Sequence, residues 1–258
     1  KGDKKLIFDS LNLTINKGER VALIGNNGAG KSTLLKLLTG LIKPDSGEIE
    51  LDGKDIIRLK PEQISDTISY VYQNPENMFI DDSIKRDIAF SMKARNIKGY
   101  KERTEALLEQ FDLVELAERD GRLLSGGQMR RASLAIGVAL NPQIMLLDEP
   151  TANLDIATRK SITKTLDDLK DSLETTIIAT HDMQLVAEWA NRIVVLHEGK
   201  VIGNGTREEI FHDETLLQLA GIDPPEIFKL AKAMNPDASI YTVDQFVDQL
   251  QKKEGVLS

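Results

Sequence analysis

The sequence has no cysteine in its 258 residues. That removes a disulfide framework and any thiolate metal site, and it fits a reducing compartment. Basic charge is not in excess either: 33 Lys and Arg against 41 Asp and Glu leave a net charge of −8. A chain that grips nucleic acid by its overall field carries the opposite sign. No apolar run approaches the ~18 residues that a membrane-spanning helix needs. The most apolar stretch, Ala132–Leu140, is far shorter and reads as a buried helix. No apolar core follows Lys1-Gly-Asp-Lys-Lys5, so no secretory leader is expected there. Internal repeats and low-complexity segments are also missing.

What is present is an ordinary globular composition, 41% hydrophobic and 29% charged, at a length that suits one large α/β domain. Leu11–Ile15 alternates as a half-buried strand does, and Val21–Ile24 is a continuous apolar run ending in Gly25. Helical spacing covers Lys31–Thr39. Alternation returns over Gly47–Asp52 and ends in the turn signal Asp52-Gly53, and a further strand is expected at Ile68–Tyr72. Residues 82–118 read as helix with a break near Ile97–Tyr100, and Gly126–Leu140 as a helix stopped by Asn141-Pro142. Strands at 144–148, 176–180 and 192–196 then alternate with helices at 156–170 and 182–190. That order predicts a mainly parallel sheet with flanking helices, beside a small antiparallel sheet near the front. In the tail, Asp223-Pro-Pro reads as an N-cap with Pro at the first helical position. Thr242 and Gln245 have capping-box spacing and open a helix over Phe246–Gln251.

Three segments carry chemistry. Gly25-Asn-Asn-Gly-Ala-Gly-Lys-Ser-Thr33 fits the phosphate-loop pattern G-x-x-x-x-G-K-[ST]. Gly28 and Gly30 permit the backbone angles that turn successive N–H groups inward, and the helix starting at Lys31 adds its positive end. Asn26, Asn27, Gly28, Ala29, Gly30, Lys31, Ser32 and Thr33 are therefore expected around the phosphates of ATP, with the Ser32 hydroxyl on Mg²⁺. Ile144–Asp148 is an apolar strand ending in Asp148 and Glu149. Asp148 is expected opposite Ser32 at the metal, and Glu149 at the sheet edge to activate water. Leu124-Ser-Gly-Gly-Gln128 opens a helix with exposed N–H groups, a second anion site in one chain, though the same residues make an ordinary N-cap.

Together with Asp148-Glu149-Pro150-Thr151 and Thr180-His181-Asp182, these segments occur in the order and spacing of ATP-binding cassette ATPases, which the chain resembles over residues 6–215. The resemblance implies a P-loop NTPase fold, with a cassette over 1–222, a helical signature subdomain over about 74–140 and a C-terminal helical extension over 223–258. It implies two cassettes joined head to tail, homo- or heterodimer or tandem halves, each ATP lying between one phosphate loop and the other subunit's Ser125, Gly126, Gly127 and Gln128. Gln73 resembles the loop glutamine at Mg²⁺ or water, Asp155 the aspartate that crosses the dimer interface, and His181 the switch histidine at the γ-phosphate. From the residues alone, His181 reads equally as part of a capped helix start between Thr180 and Asp182.

Two departures stand out. Residues 1–5 contain no aromatic to stack on adenine, so that role is expected upstream of Lys1. Met129-Arg130 replaces the commoner polar residue and Gln, while Arg131 keeps its basic character. Gln73-Asn-Pro-Glu-Asn77-Met-Phe79, Gly221–Ala231 and the helix from Thr242 are similar to the energy-coupling factor transporters, importers of vitamins and metal ions. The implied setting is the cytoplasmic face of the cell membrane, reached only through transmembrane partners and without direct nucleic-acid contact. The competing class is a soluble cassette ATPase acting on ribosomes or nucleic acid, which would carry a basic, aromatic-studded arm. A further expectation, from the missing initiator Met, is the second half of a tandem two-cassette polypeptide.

Overall fold

The structure is a computed structural model and describes residues 6–170, 172–236 and 238–254. Its elements run β1 (Arg20–Ile24), α1 (Lys31–Leu38), β2 (Glu50–Leu51), β3 (Lys54–Asp55), α2 (Pro61–Ser65), β4 (Ile68–Val71), α3 (Ile84–Ala94) and α4 (Tyr100–Gln110). There follow α5 (Gly126–Val138), β5 (Ile144–Asp148), α6 (Ile156–Asp168), β6 (Thr175–Ala179), α7 (Met183–Trp189), β7 (Arg192–His197) and β8 (Lys200–Gly205). The C-terminal helices are α8 (Arg207–His212), α9 (Glu214–Ala220), α10 (Glu226–Met234) and α11 (Val243–Glu254). The described residues pack as two compact units.

One unit takes the residues up to Ile15, Arg20–Lys31 and those from Thr180 onward. Here β1 runs parallel to β7, from Val21 opposite Arg192 to Ile24 opposite Val195. Val21–Ile24 and Ile193–Leu196 are all buried, which is why both strands are written as continuous apolar runs. The strand β8, absent from the sequence reading, returns antiparallel on β7. Its turn, Glu198-Gly199, has both φ angles positive (45° and 76°), the backbone of a tight two-residue hairpin. Phe228 and Tyr241 stack with centroids 5.3 Å apart and Phe211 lies 6.0 Å from each, so aromatic packing fastens α10 to α8.

Two expectations in this unit need correction. Leu11–Ile15 keeps its alternating exposure but forms no strand. Ser10 lies at φ 57° and its carbonyl accepts from Asn12 Nδ2 at 3.0 Å, a local turn at the head of the segment. Helix α10 starts at Glu226 with Pro225, not Asp223, in the cap position and no side-chain cap. Pro225 has no N–H to give an Asp223 carboxylate, and Pro224 is held extended by the proline after it. Asp223 pairs instead with Lys229 at 3.0 Å. The Thr242–Gln245 capping box is present as expected, with α11 opening at Val243.

The other unit takes Asn16–Glu19 and Ser32–Ala179. Strands β4, β5 and β6 are parallel neighbours, with Ile68 opposite Ile144 and Asp148 opposite Ala179. Gly137 of α5 lets the helix lie against the sheet: a Cβ there would sit 2.8 Å from Val71 Cγ2 and 2.9 Å from Met145 Cε. The strand expected over Gly47–Asp52 shrinks to Glu50–Leu51, paired with Lys54–Asp55 across Asp52-Gly53. The predicted break in the helical region falls between α3 and α4, where Gly99 precedes α4 at φ 74°. No helix among the described residues is long and apolar enough to cross a membrane.

Candidate functional site

In the first unit, β1 delivers the chain into the loop after Ile24. Gly28 and Gly30 take φ angles of 83° and 107°. Gly28 has open space where a Cβ would stand, so its requirement is the backbone angle alone. At Gly30 a Cβ would lie 2.7 Å from the Phe8 ring, so the loop also needs glycine for close packing. Lys31, 8% exposed, folds back across the loop and donates to the Gly25 carbonyl at 2.6 Å and that of Asn26 at 3.3 Å. Asn26, Asn27 and Gly28 are exposed. His181 belongs to the same unit. The Thr180 N–H donates to Leu23 of β1 at 3.1 Å, which holds His181 beside the strand that feeds the loop. His181 itself is exposed. Asp182 caps α7 by accepting from Leu185 N, and the Thr180 hydroxyl accepts from Asp182 N, so the capped helix start is real.

In the second unit, α1 and β5 present Ser32 and Asp148 to each other. The Ser32 hydroxyl donates to Asp148 Oδ1 at 3.0 Å, and the Tyr70 hydroxyl donates to Oδ2 at 2.9 Å. Asp148 is 3% exposed and has both oxygens engaged. Burial first, then the charge of Asp148, raises the Tyr70 hydroxyl above its ordinary pKa, so it remains a donor. The neighbouring Glu149, 7% exposed, stands at φ 48°. A left-handed glutamate is strained by about 1–3 kcal/mol and persists only where its surroundings hold it. Here its N–H donates to the Ala179 carbonyl at 2.8 Å, and its own carbonyl accepts from Ala152 N at 3.2 Å.

Arg130 contributes a third bond to the Glu149 backbone. From α5 its Nη2 donates to the Glu149 carbonyl at 3.4 Å and to the Gln73 carbonyl at 2.9 Å, while Nη1 donates to Tyr72 at 3.0 Å. Burial pulls the guanidinium down to about 10, against the opposing charges of Asp148 and Glu149, so it stays protonated near neutrality. Gln73 is exposed and leads into a short turn, where the Asn74 side chain caps Glu76 N. Phe79 closes the turn and is 5% exposed.

The glycine-rich start of α5 forms a capping box, with Gln128 N donating to Ser125 Oγ and Ser125 N to Gln128 Oε1. Asp155 caps α6, accepting from Thr158 N at 3.0 Å and Thr158 Oγ1 at 2.6 Å. The Thr158 bonds hold the Asp155 carboxyl below the usual carboxylate range. Ser125–Gln128 and Asp155 line one open concavity of about 530 Å³. Asp148, Glu149 and Gln73 do not line it.

The expected residues thus fall into three groups: Asn26–Lys31 with His181; Ser32 and Asp148 with Glu149 and Gln73; and Ser125–Gln128 with Asp155. Thr33 follows Ser32 on α1, half-buried, and Ala29 is buried within the loop. Residues 1–5, where the adenine-stacking aromatic is missing, lie outside the described residues. Sequence reasoning missed Tyr70 and the role of Arg130. Tyr70 sits opposite Leu146, two residues before Asp148 on the same face of β5, which only the strand register reveals. Arg130 had a legible signal, since it heads the buried helical stripe Arg130, Ser133, Leu134, Gly137, Val138.

Known proteins resemble this chain in sequence and in fold. Residues 8–152 match the family model described as ABC transporter. The chain is 34% identical to energy-coupling factor transporter ATP-binding protein EcfA1 of Mycoplasmopsis pulmonis, over 95% of this chain and 93% of that one. It is 36% identical to EcfA2 of Clostridium tetani, over 96% and 91%. Among solved structures it is similar to cbiO1 from Clostridium perfringens, part of the ABC transporter complex cbiONQ, with TM-score 0.74 and 31% identity over 89% of each chain. An ATP-binding cassette solved as a dimer in a post-hydrolysis state with ADP and Pi gives TM-score 0.71 at 27% identity, over 80% of this chain and 93% of that one.

Proposed function

The chain belongs to the ABC transporter family as one of its ATP-hydrolysing cassettes, and from that premise we propose that it drives an importer of the energy-coupling factor type, taking up a small nutrient such as a vitamin or metal ion. The observation that carries the catalytic part is the pairing of Ser32 with a buried Asp148 whose second oxygen is held by Tyr70, one residue before a strained and pinned Glu149.

The N–H groups of Asn26–Thr33 and the Lys31 ammonium bind the phosphates of ATP. Ser32 and Asp148 offer hard oxygen donors suited to Mg²⁺. No cluster of three or more acidic, His or Cys ligands exists among the described residues, which suits an ion held by one or two protein oxygens and the substrate. When bound, Mg²⁺ neutralises phosphate charge; Gln73 would be its neighbour or that of the attacking water. Glu149 accepts a proton from that water as the water oxygen bonds to the γ-phosphorus; the bond from that phosphorus to the β–γ bridging oxygen breaks, and ADP leaves with that oxygen, giving ADP and phosphate. His181 orients the γ-phosphate.

The third group makes sense in a pair of cassettes. Ser125–Gln128 and Asp155 share a concavity that the hydrolytic carboxylates do not line, and we read it as the surface offered to the ATP of a second cassette. Closure on ATP and reopening after hydrolysis would be passed to transmembrane subunits through Gln73–Phe79 at the cytoplasmic face of the membrane. Residues 1–222 would be the cassette, with 74–140 its helical signature subdomain, and 223–258 an extension that steadies the pair. Mass spectrometry of the native complex tests this reading. It should find two cassettes with membrane-spanning subunits, and a cassette bound to ribosomes or nucleic acid instead would overturn it.

A further inference from the structure

Arg130 is 3% exposed and bonds only to backbone carbonyls, with Nε unpartnered among the described residues. Burying a guanidinium with no direct carboxylate partner is costly, and an apolar side chain could fill the same space more cheaply. What it gains is geometric. One planar group reaches three carbonyls on two separate segments: Tyr72 and Gln73, which follow β4, and Glu149, which follows β5. The Glu149 peptide is the strained one, and Arg130 is one of the donors that fix it. The same side chain grows from the helix that opens with Ser125–Gln128.

We infer that Arg130 is a positioning residue for hydrolysis, locking the backbone that carries Glu149 to the backbone that carries Gln73. This rests on the roles given to Glu149 and Gln73 above. With the lock in place, a shift of the Gln73 segment is carried to the water-activating carboxylate, and to the helix bearing the signature, through one rigid fork. A lysine cannot imitate it, because one ammonium replaces two amino groups and cannot span both segments with the same reach. A glutamine is shorter and neutral.

The test uses the full chain assembled with its partners. Arg130→Lys and Arg130→Gln are compared with the parent for kcat, KM for ATP and thermal midpoint, with Glu149→Gln run alongside. Both Arg130 variants should lose roughly tenfold in kcat with KM within about twofold, since the phosphate loop is not touched. A lowered midpoint with parental kcat in the folded enzyme would reduce Arg130 to a packing residue and overturn the inference, as would a change confined to KM. If Arg130→Gln does not fold, Arg130→Lys decides by the same criterion. A dead Glu149→Gln beside fully active Arg130 variants sinks this inference alone, whereas an active Glu149→Gln sinks the catalytic assignment and this inference with it.

Discussion

Replacing Tyr70 by Phe removes one oxygen from the Ser32–Asp148–Tyr70 cluster and little else. The ring remains, so its edge-on contact with Tyr72, centroids 4.7 Å apart, is kept and no cavity opens. The lost atom is the donor to Asp148 Oδ2 at 2.9 Å, in a partly buried setting. A hydrogen bond to a charged acceptor contributes about 1.5–3 kcal/mol, and the half-buried position argues for the lower end. For a chain of this size each kcal/mol moves the thermal midpoint by about 2–4 °C, so a fall of roughly 3–8 °C is expected. Ser32 still holds Oδ1, so the carboxylate is loosened rather than lost. A group that orients a metal-binding carboxylate typically costs about 10–100-fold in metal affinity when removed, and with Ser32 in place the shift should be near tenfold. Because burial and the Asp148 charge raise the Tyr70 pKa, the hydroxyl donates throughout the neutral range and the defect should not vary with pH there. The assay is a Mg²⁺ titration of hydrolysis at saturating ATP, paired with thermal unfolding. A lower midpoint with an unchanged Mg²⁺ requirement would refute the claim that Tyr70 orients Asp148 for the ion.

Two further substitutions probe the scaffold. Asp87 of α3 is 2% exposed, accepts from Ile80 N and Asp81 N through Oδ1, and leaves Oδ2 without a partner among the described residues. Burial raises its pKa above the unfolded value, so the folded chain binds that proton more tightly and loses stability as pH rises through the folded pKa. Asp87→Asn keeps Oδ1 and cannot ionise. Its midpoint should equal or exceed that of the parent at pH 7, with the difference shrinking towards acid; a deficit at pH 7 that vanishes in acid would show the reverse sign. Gly137→Ala places a methyl 2.8 Å from Val71 and 2.9 Å from Met145. It should cost about 1–3 kcal/mol of overpacking, read by chemical denaturation, and a neutral result would mean α5 sits more loosely on its sheet than drawn.

Much of this architecture is legible in the residues because local and tertiary demands coincide. Val21–Ile24 and Met145–Asp148 are buried on both faces, so their apolar runs mark strands without help from neighbours. Asp52-Gly53 marks its hairpin because two successive positive φ angles restrict the choice of residues. Leu11–Ile15 misled because alternation records exposure, and exposure does not supply a ladder partner. The hairpin at Glu198-Gly199 and the box Thr206–Glu209 carried signals of the same kind that went unread. Of the candidate residues, motif spacing singled out Ser32, Asp148 and Glu149, and the structure brings Ser32 to Asp148. Tyr70 and Arg130 lie 78 and 19 residues from the groups they hold. Such pairings depend on strand register and helix placement, which spacing along the chain does not encode.

In the proposed mechanism Glu149 takes the proton of the attacking water. The decisive measurement is phosphate release by Glu149→Gln at saturating ATP, taken alongside ATP binding in the assembled complex. ATP binding should be retained while turnover falls by at least about 10²-fold. Turnover close to the parental rate with normal ATP binding would contradict the claim.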